Sequence, residues 1–314
     1  MSELVIAILT FLGGIALLIY SVEEFVENLT KSALVLGVSA FILAVVFAGM
    51  DFENWAFGIA SVVGDLPGVA LGSAIGSALF LVGGAVALGG FVTPFEARIP
   101  RAYLVLMMVS PLLLLPCLVD GALSRIEGAG LLTAFGLMIF YIYRKERAAE
   151  YLRDSEVEEA AEELEGKKWR YPVLMIAFTA GIVLGSQLSV WGARGIVQGF
   201  GLNETVFGMT IVGLAMSLEE VLLVVTPIRK GRLNIAVGNI VGSLIFFSTG
   251  NIGLLAVTRH LSVEPSVLSF YWPYLFASTL LVGLLLLRGK VKRLEAIPLA
   301  LIYVSYWVLS YTVL

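Results

Sequence analysis

Two six-residue stretches decide the fold: Gly49-Met50-Asp51-Phe52-Glu53-Asn54 and, 166 residues later, Ala215-Met216-Ser217-Leu218-Glu219-Glu220. Each is an acidic motif set inside a long apolar run. The same shift of 166 aligns a second pair without a gap, Gly72-Ser73-Ala74-Ile75-Gly76-Ser77 with Gly238-Asn239-Ile240-Val241-Gly242-Ser243. The chain therefore reads as two related halves, each with an acidic motif in its second apolar segment and a Gly/Ser motif in its third.

The surroundings of these motifs fix the solvent. Of 314 residues, 59% are hydrophobic and only 14% charged, and mean hydropathy is +0.96, an apolar excess too large for one water-soluble core. A bilayer crossing takes roughly 20 apolar residues. Spans are expected at 4–22, 32–62, 69–92, 102–119, 128–144, 171–193, 205–227, 234–258, 267–287 and 294–313. The segment 32–62 is too long for a straight crossing and Gly49 interrupts it, so a bend or break is expected there. The expected architecture is an all-α integral membrane protein of ten transmembrane helices: a five-helix repeat over 1–144, an acidic cytoplasmic linker over 145–170, and a second five-helix repeat over 171–314.

Positive charge sets the orientation, because cytoplasmic loops retain Lys and Arg. With the 145–170 linker inside, only Arg125, Arg194 and Arg259 of the 20 basic residues fall outside. Both termini are then outside the cell membrane, and the two halves cross in opposite senses. Such an inverted-topology repeat builds substrate sites near the midplane from interrupted helices.

Several function classes drop out. A net charge of −4 with pI near 5.2 offers no basic face for nucleic acid. The lone Cys117 permits no intrachain disulfide and reads as a small core residue. An intramembrane enzyme would need a nucleophile with a base or a histidine-rich metal centre, yet the one histidine, His260, falls in an outer loop. The stretch from Leu4 to Tyr20 lacks a positive leader region and a cleavage site, and reads as a retained helix. The linker glutamates lack the Asp/Asn/Gly spacing of a calcium loop and read as a solvated helical connection. No cofactor and no protein partner is implied; the partners are inorganic cations and membrane lipid.

The carboxylates carry the functional reading. Gly/Ser motifs alone would serve close helix packing. Asp51, Glu53, Glu219 and Glu220, however, lie inside apolar spans where each ionised group costs at least a few kcal/mol. No Lys or Arg stands in the middle of any span, which leaves protonation or a bound cation as the compensation. Hard cations such as Ca²⁺ are matched by carboxylate and carbonyl oxygens. At 100° per residue, Asp51, Asn54, Gly58 and Ser61 share one face, as do Gly213, Ser217 and Glu220, with Glu53 and Glu219 offset by one residue. Spacing leaves open which glutamate of each half is a direct ligand.

At these residues the chain resembles the sodium/calcium exchanger family of the cation/calcium exchanger group. That family has ten spans in two inverted halves, each with a repeat reading approximately G-T-S-x-P-E and then G-N-x-x-G-S-N. Ser217-Leu218-Glu219-Glu220 and Gly238 to Ser243 match in the second half, and Glu53 or Asn54 with Gly72 to Ser77 in the first. Met50 and Met216 stand where the family has threonine, and Leu81 and Phe247 where it has the Asn and Asp that help hold sodium. The resemblance implies a secondary active antiporter exchanging Ca²⁺ for Na⁺ by alternating access. Glu53 and Glu220 are its expected main ligands, supported by Asp51, Asn54, Ser217, Glu219, Ser77, Ser243 and Asn239, with Glu219 mattering less. Exchange of Ca²⁺ or another divalent cation for H⁺ is the alternative, because the sodium groups are replaced and four close acids cannot all stay ionised once the divalent ion leaves. A passive cation channel is the reading outside that class.

Overall fold

The computed structural model describes residues 2–35, 50–96, 99–145, 170–231 and 233–313. They form helices almost throughout, as bilayer-embedded backbone must, since every N–H and C=O there needs an internal partner. In chain order these are α1 (Ser2–Val35), α2 (Phe52–Val63), α3 (Pro67–Val92), α4 (Arg101–Leu118), α5 (Arg125–Lys145), α6 (Arg170–Phe200), α7 (Glu204–Ala215), α8 (Leu218–Arg229), α9 (233–258), α10 (Val267–Leu287) and α11 (Arg293–Thr312). Among the described residues eight helices are long and apolar enough to cross a membrane, or nine when α7 and α8 are taken as one span bent by 41°. The 36–49 portion of the expected span 32–62, with Gly49, and most of the linker 145–170 lie outside the described residues.

The shift of 166 recurs in the element boundaries. Helix α2 at 52–63 returns as α8 at 218–229. Helix α3 carries a π-helical stretch at Phe80–Ala85, and α9 carries one at Phe246–Asn251. The turns closing the α2–α3 and α8–α9 hairpins each hold a left-handed residue, Asp65 at φ 55° and Gly231 at φ 72°. Even the small β contacts repeat: β1 (Ala122–Leu123) pairs antiparallel with β2 (Leu261–Ser262), and Phe95 bridges Val291.

Helices α1 and α6, the first of each half, pack antiparallel: Phe11 lies against Gly192, Gly14 against Ser189 and Leu18 against Gly185. A Cβ at Gly185 would stand 2.6 Å from the Leu18 nitrogen, so the glycines are what lets two backbones approach this closely in lipid. The end of the first span is corrected: the helix does not stop at residue 22 but continues to Val35. Glu23, Glu24, Glu27 and Lys31 are good helix formers, and Lys31 pairs with Glu27 one turn away. The central core lies between α3 and α9, whose spans are the most buried in the molecule, and it encloses the acidic motifs.

Candidate cation site

The site forms where two chains of backbone break. In the first half Met50 and Asp51 are non-helical and α2 begins at Phe52; in the second, Met216 and Ser217 separate α7 from α8. A break turns helix ends toward one another, with free carbonyls at the end of α7 and the partial positive charge of N-termini at α2 and α8. Glu53, Glu219 and Glu220 sit in the first turns of those helices, where that charge favours carboxylates.

Asp51 is the N-cap of α2, not a residue on its face as helical spacing expected. Its Oδ1 accepts from the Asn54 backbone N–H at 2.7 Å and its Oδ2 from Asn54 Nδ2 at 2.6 Å. Asn54 Nδ2 also donates to the Met216 carbonyl at 3.3 Å, joining the two breaks directly. Ser77 on α3 donates to Asn54 Oδ1 at 3.2 Å and to the Gly213 carbonyl at 3.4 Å. The Gly76 beside it is required by space, since a Cβ there would collide with the Met209 carbonyl of α7. The Gly/Ser motif therefore serves both packing and the site.

The second half places Glu220 differently. Its Oε2 accepts from Asn239 Nδ2 at 2.6 Å, and Ser243 donates to Asn239 Oδ1 at 3.5 Å. Ser217 Oγ is buried without a hydrogen-bond partner. Oxygen atoms of Asp51, Glu53 and Glu219 lie within 4.8 Å of one another. Asp51, Glu53, Asn54, Ser77, Ser217, Glu220 and Ser243 are all buried, while Glu219 and Asn239 are half-buried. All nine residues singled out in the sequence thus belong to the two breaks and the two Gly/Ser motifs that adjoin them. Three carboxylates whose oxygens converge suit a divalent, oxygen-seeking ion.

Sequence reading missed the Gly213 and Met216 carbonyls, which become available only because the backbone breaks. It also missed Tyr306, fully buried on α11, whose hydroxyl donates to the Met209 carbonyl in the π-helical part of α7, Gly208–Val212. A π-helical turn leaves a carbonyl displaced from its usual partner, and no one-dimensional pattern announces that. Cys117 is a buried residue of α4, and His260 is exposed in the loop before β2.

A family model described as sodium/calcium exchanger protein matches residues 6–144 and 170–312. The putative antiporter CaxA of Alkalimonas amylolytica is 29% identical over 313 residues, covering 96% of this chain and 97% of that protein. Among solved structures, the sodium-calcium exchanger NCX_Mj superposes with a TM-score of 0.62 at 22% identity, covering 96% of this chain and 97% of the other. The H⁺/Ca²⁺ exchanger CAX superposes at 0.73 with 16% identity, covering 99% of this chain and 87% of its own. These two likenesses show the fold. The chain is a multi-pass membrane protein that belongs to the sodium/calcium exchanger family, a family of transporters and not of enzymes.

Proposed function

We propose that this protein is a secondary active antiporter of the cell membrane that exchanges Ca²⁺ for Na⁺ through the carboxylate site at the two breaks. The observation that carries the reading is the convergence of Asp51, Glu53 and Glu219 oxygens within 4.8 Å, with Glu220, which matches Asn54 of the first half, held by Asn239. No lysine or arginine stands in the middle of any expected span to neutralise the acidic motifs, so the substrate cation does.

Alternating access follows from an inverted repeat. The sequence reads as ten spans, in five-helix halves over 1–144 and 171–314 around the linker 145–170. The antiparallel packing of the equivalent helices α1 and α6 supports opposite orientation of the halves, and the distribution of Lys and Arg supports both termini outside. Each half then presents the start of a short helix, α2 or α8, to the site from opposite sides of the membrane.

A second reading, exchange of Ca²⁺ for H⁺, is favoured by one observation: Met216, Leu81 and Phe247 are buried apolar side chains where sodium-binding members of the family carry oxygen. Calorimetric titration of Ca²⁺ into the purified protein in sodium-free buffer separates the readings. Binding is expected for the parent and not for Glu53→Gln. Competition by added Na⁺ at fixed pH supports sodium exchange, and competition by protons alone supports the alternative. A parent protein that binds no Ca²⁺ would rule out both.

A further inference from the structure

The three arginines that the charge distribution puts outside each donate to a main-chain carbonyl. Arg125 reaches the Thr258 carbonyl at 3.5 Å and Arg259 the Val62 carbonyl at 3.4 Å, while Arg194 donates to the carbonyl of Gly64. Gly64 is the C-cap of α2, where orphan carbonyls and the negative end of the helix favour a cation. Arg259 also pairs with Asp65 in the turn from α2 to α3, and so fixes that turn to the end of α9. Arg194 differs in where it comes from, since it stands near the outer end of α6, the helix paired with α1. Glu204, the first residue of α7, lies within electrostatic range of the same guanidinium.

The apolar interior divides along this contact. One cluster is the central core around α3 and α9; a second, separate cluster joins α1 and α6 to α2, α7 and the start of α3. On α2, Phe52, Ala56 and Ala60 recur four apart and pack in this second cluster, with Ala60 only 7% exposed. Gly64 continues the stripe, and a Cβ there would stand 2.7 Å from Val190 Cγ1 of α6. The α1–α6 pair is therefore seated along α2 from the cation site to the outer surface, and Arg194 fastens its edge.

The internal repeat shows the matching stripe uncovered on the other side. The shift of 166 carries Phe52, Ala56, Ala60 and Gly64 of α2 onto Leu218, Leu222, Thr226 and Lys230 of α8 and its cap. Leu218 and Leu222 are 56% and 66% exposed, and Thr226 and Lys230 are exposed as well. Equivalent helices thus stand in unequal surroundings: the stripe leading outward is shut and the stripe leading inward is open. The inequality reaches the site, where Asp51 and Glu53 are buried and Glu219 is half-buried.

We propose that this structure is the inward-open arrangement of the transporter and that Arg194 is its outer latch, the contact that releases when α6 parts from α2 to expose the site outside. In an inverted repeat the two access states exchange the surroundings of equivalent helices, so the covered stripe of α2 and the bare stripe of α8 are the two halves of one switch. A solvent-exposed charged contact is weak enough to be broken in every cycle. This inference rests on the antiporter reading above and concerns its outward-opening step.

The test uses the full-length protein with Cys117→Ala and one reporter cysteine on each stripe. Ala60→Cys is probed with a membrane-impermeant thiol reagent from outside intact cells, and Thr226→Cys from the cytoplasmic face in inside-out vesicles. Adding Arg194→Gln is expected to raise the labelling rate of Ala60→Cys about fivefold and to lower that of Thr226→Cys, while Arg194→Lys stays near the parent. A second arm oxidises the pair Val190→Cys with Gly64→Cys: exchange of Ca²⁺ is expected to stop and to return with reductant, while Ca²⁺ binding in inside-out vesicles stays within about twofold of the reduced protein. Unchanged labelling in Arg194→Gln, a rise at both reporters alike, or full exchange in the cross-linked protein each overturns the latch. A parent that exchanges no Ca²⁺ overturns the antiporter reading instead, and the two labelling rates then still decide whether Arg194 holds the outer face shut.

Discussion

Asn54 grips Asp51 at both carboxylate oxygens, through its backbone N–H at 2.7 Å and its side-chain amide at 2.6 Å, while the same amide reaches the Met216 carbonyl of the other half. The position that carries glutamate in the second half, Glu220, is thus an amide in the first, and the acid has moved to the N-cap. Asn54→Ala removes the side-chain amide that holds Asp51 Oδ2, keeps the backbone N–H on Oδ1, and touches no carboxylate. Loss of such an orienting group typically costs about 10–100-fold in metal affinity. Calcium affinity is expected to fall by that order in binding titrations, and an unchanged affinity would show that Asp51 needs no such clamp.

Neutralising single carboxylates ranks the ligands. Glu53→Gln and Glu220→Gln each remove one charge at nearly constant volume and are expected to abolish calcium transport with expression and folding intact. Sequence spacing set Glu219 aside; its oxygen lies within 4.8 Å of those of Asp51 and Glu53, so Glu219→Gln is now expected to weaken calcium binding about as much as Glu53→Gln. Full activity in Glu53→Gln would reassign the first-half site to Asp51 and Asn54.

Tyr306→Phe tests the support behind the site. The substitution keeps the ring, which packs in an aromatic cluster with Tyr271 and Tyr303, and strands the buried Met209 carbonyl of α7. Leaving a buried acceptor unpaired costs about 1–3 kcal/mol. A lowered melting temperature in detergent is expected, together with weaker calcium binding because α7 ends at the break. A melting curve identical to the parent's would mean that this carbonyl finds another donor.

The topology has a chemical test. In a background with Cys117→Ala, Glu156→Cys in the linker is expected to resist a membrane-impermeant thiol reagent applied to intact cells, whereas Ser262→Cys, on the strand that follows Arg259, is expected to react. Labelling of Glu156→Cys from outside would reverse the orientation of both halves.

Much of this was legible in the sequence, for a physical reason. Apolar length and the confinement of Lys and Arg to loops follow from the bilayer acting as solvent, and buried carboxylates in apolar runs are too costly to be incidental. The shift that aligned Asp51 with Ser217 and Ser77 with Ser243 also aligned the ends of α2 and α8 and the π-helical stretches of α3 and α9. What escaped notice depends on main-chain geometry. Asp51 looked like a helix-face residue because periodicity cannot see that the helix starts one residue later. The Met216 and Gly213 carbonyls carry no side-chain signature, and the Met209 carbonyl that Tyr306 meets belongs to a π-helical stretch that no one-dimensional pattern announces.

The central claim is that cation movement through the Asp51, Glu53, Glu219 and Glu220 site is coupled to a counter-ion. Calcium accumulation in proteoliposomes tests it most directly, first with an outward Na⁺ gradient at fixed pH and then with an outward proton gradient without Na⁺. The account predicts accumulation above the external calcium concentration under the sodium gradient, and none for Glu220→Gln. Calcium entry that merely follows its own electrochemical gradient, indifferent to both counter-ions, would contradict it.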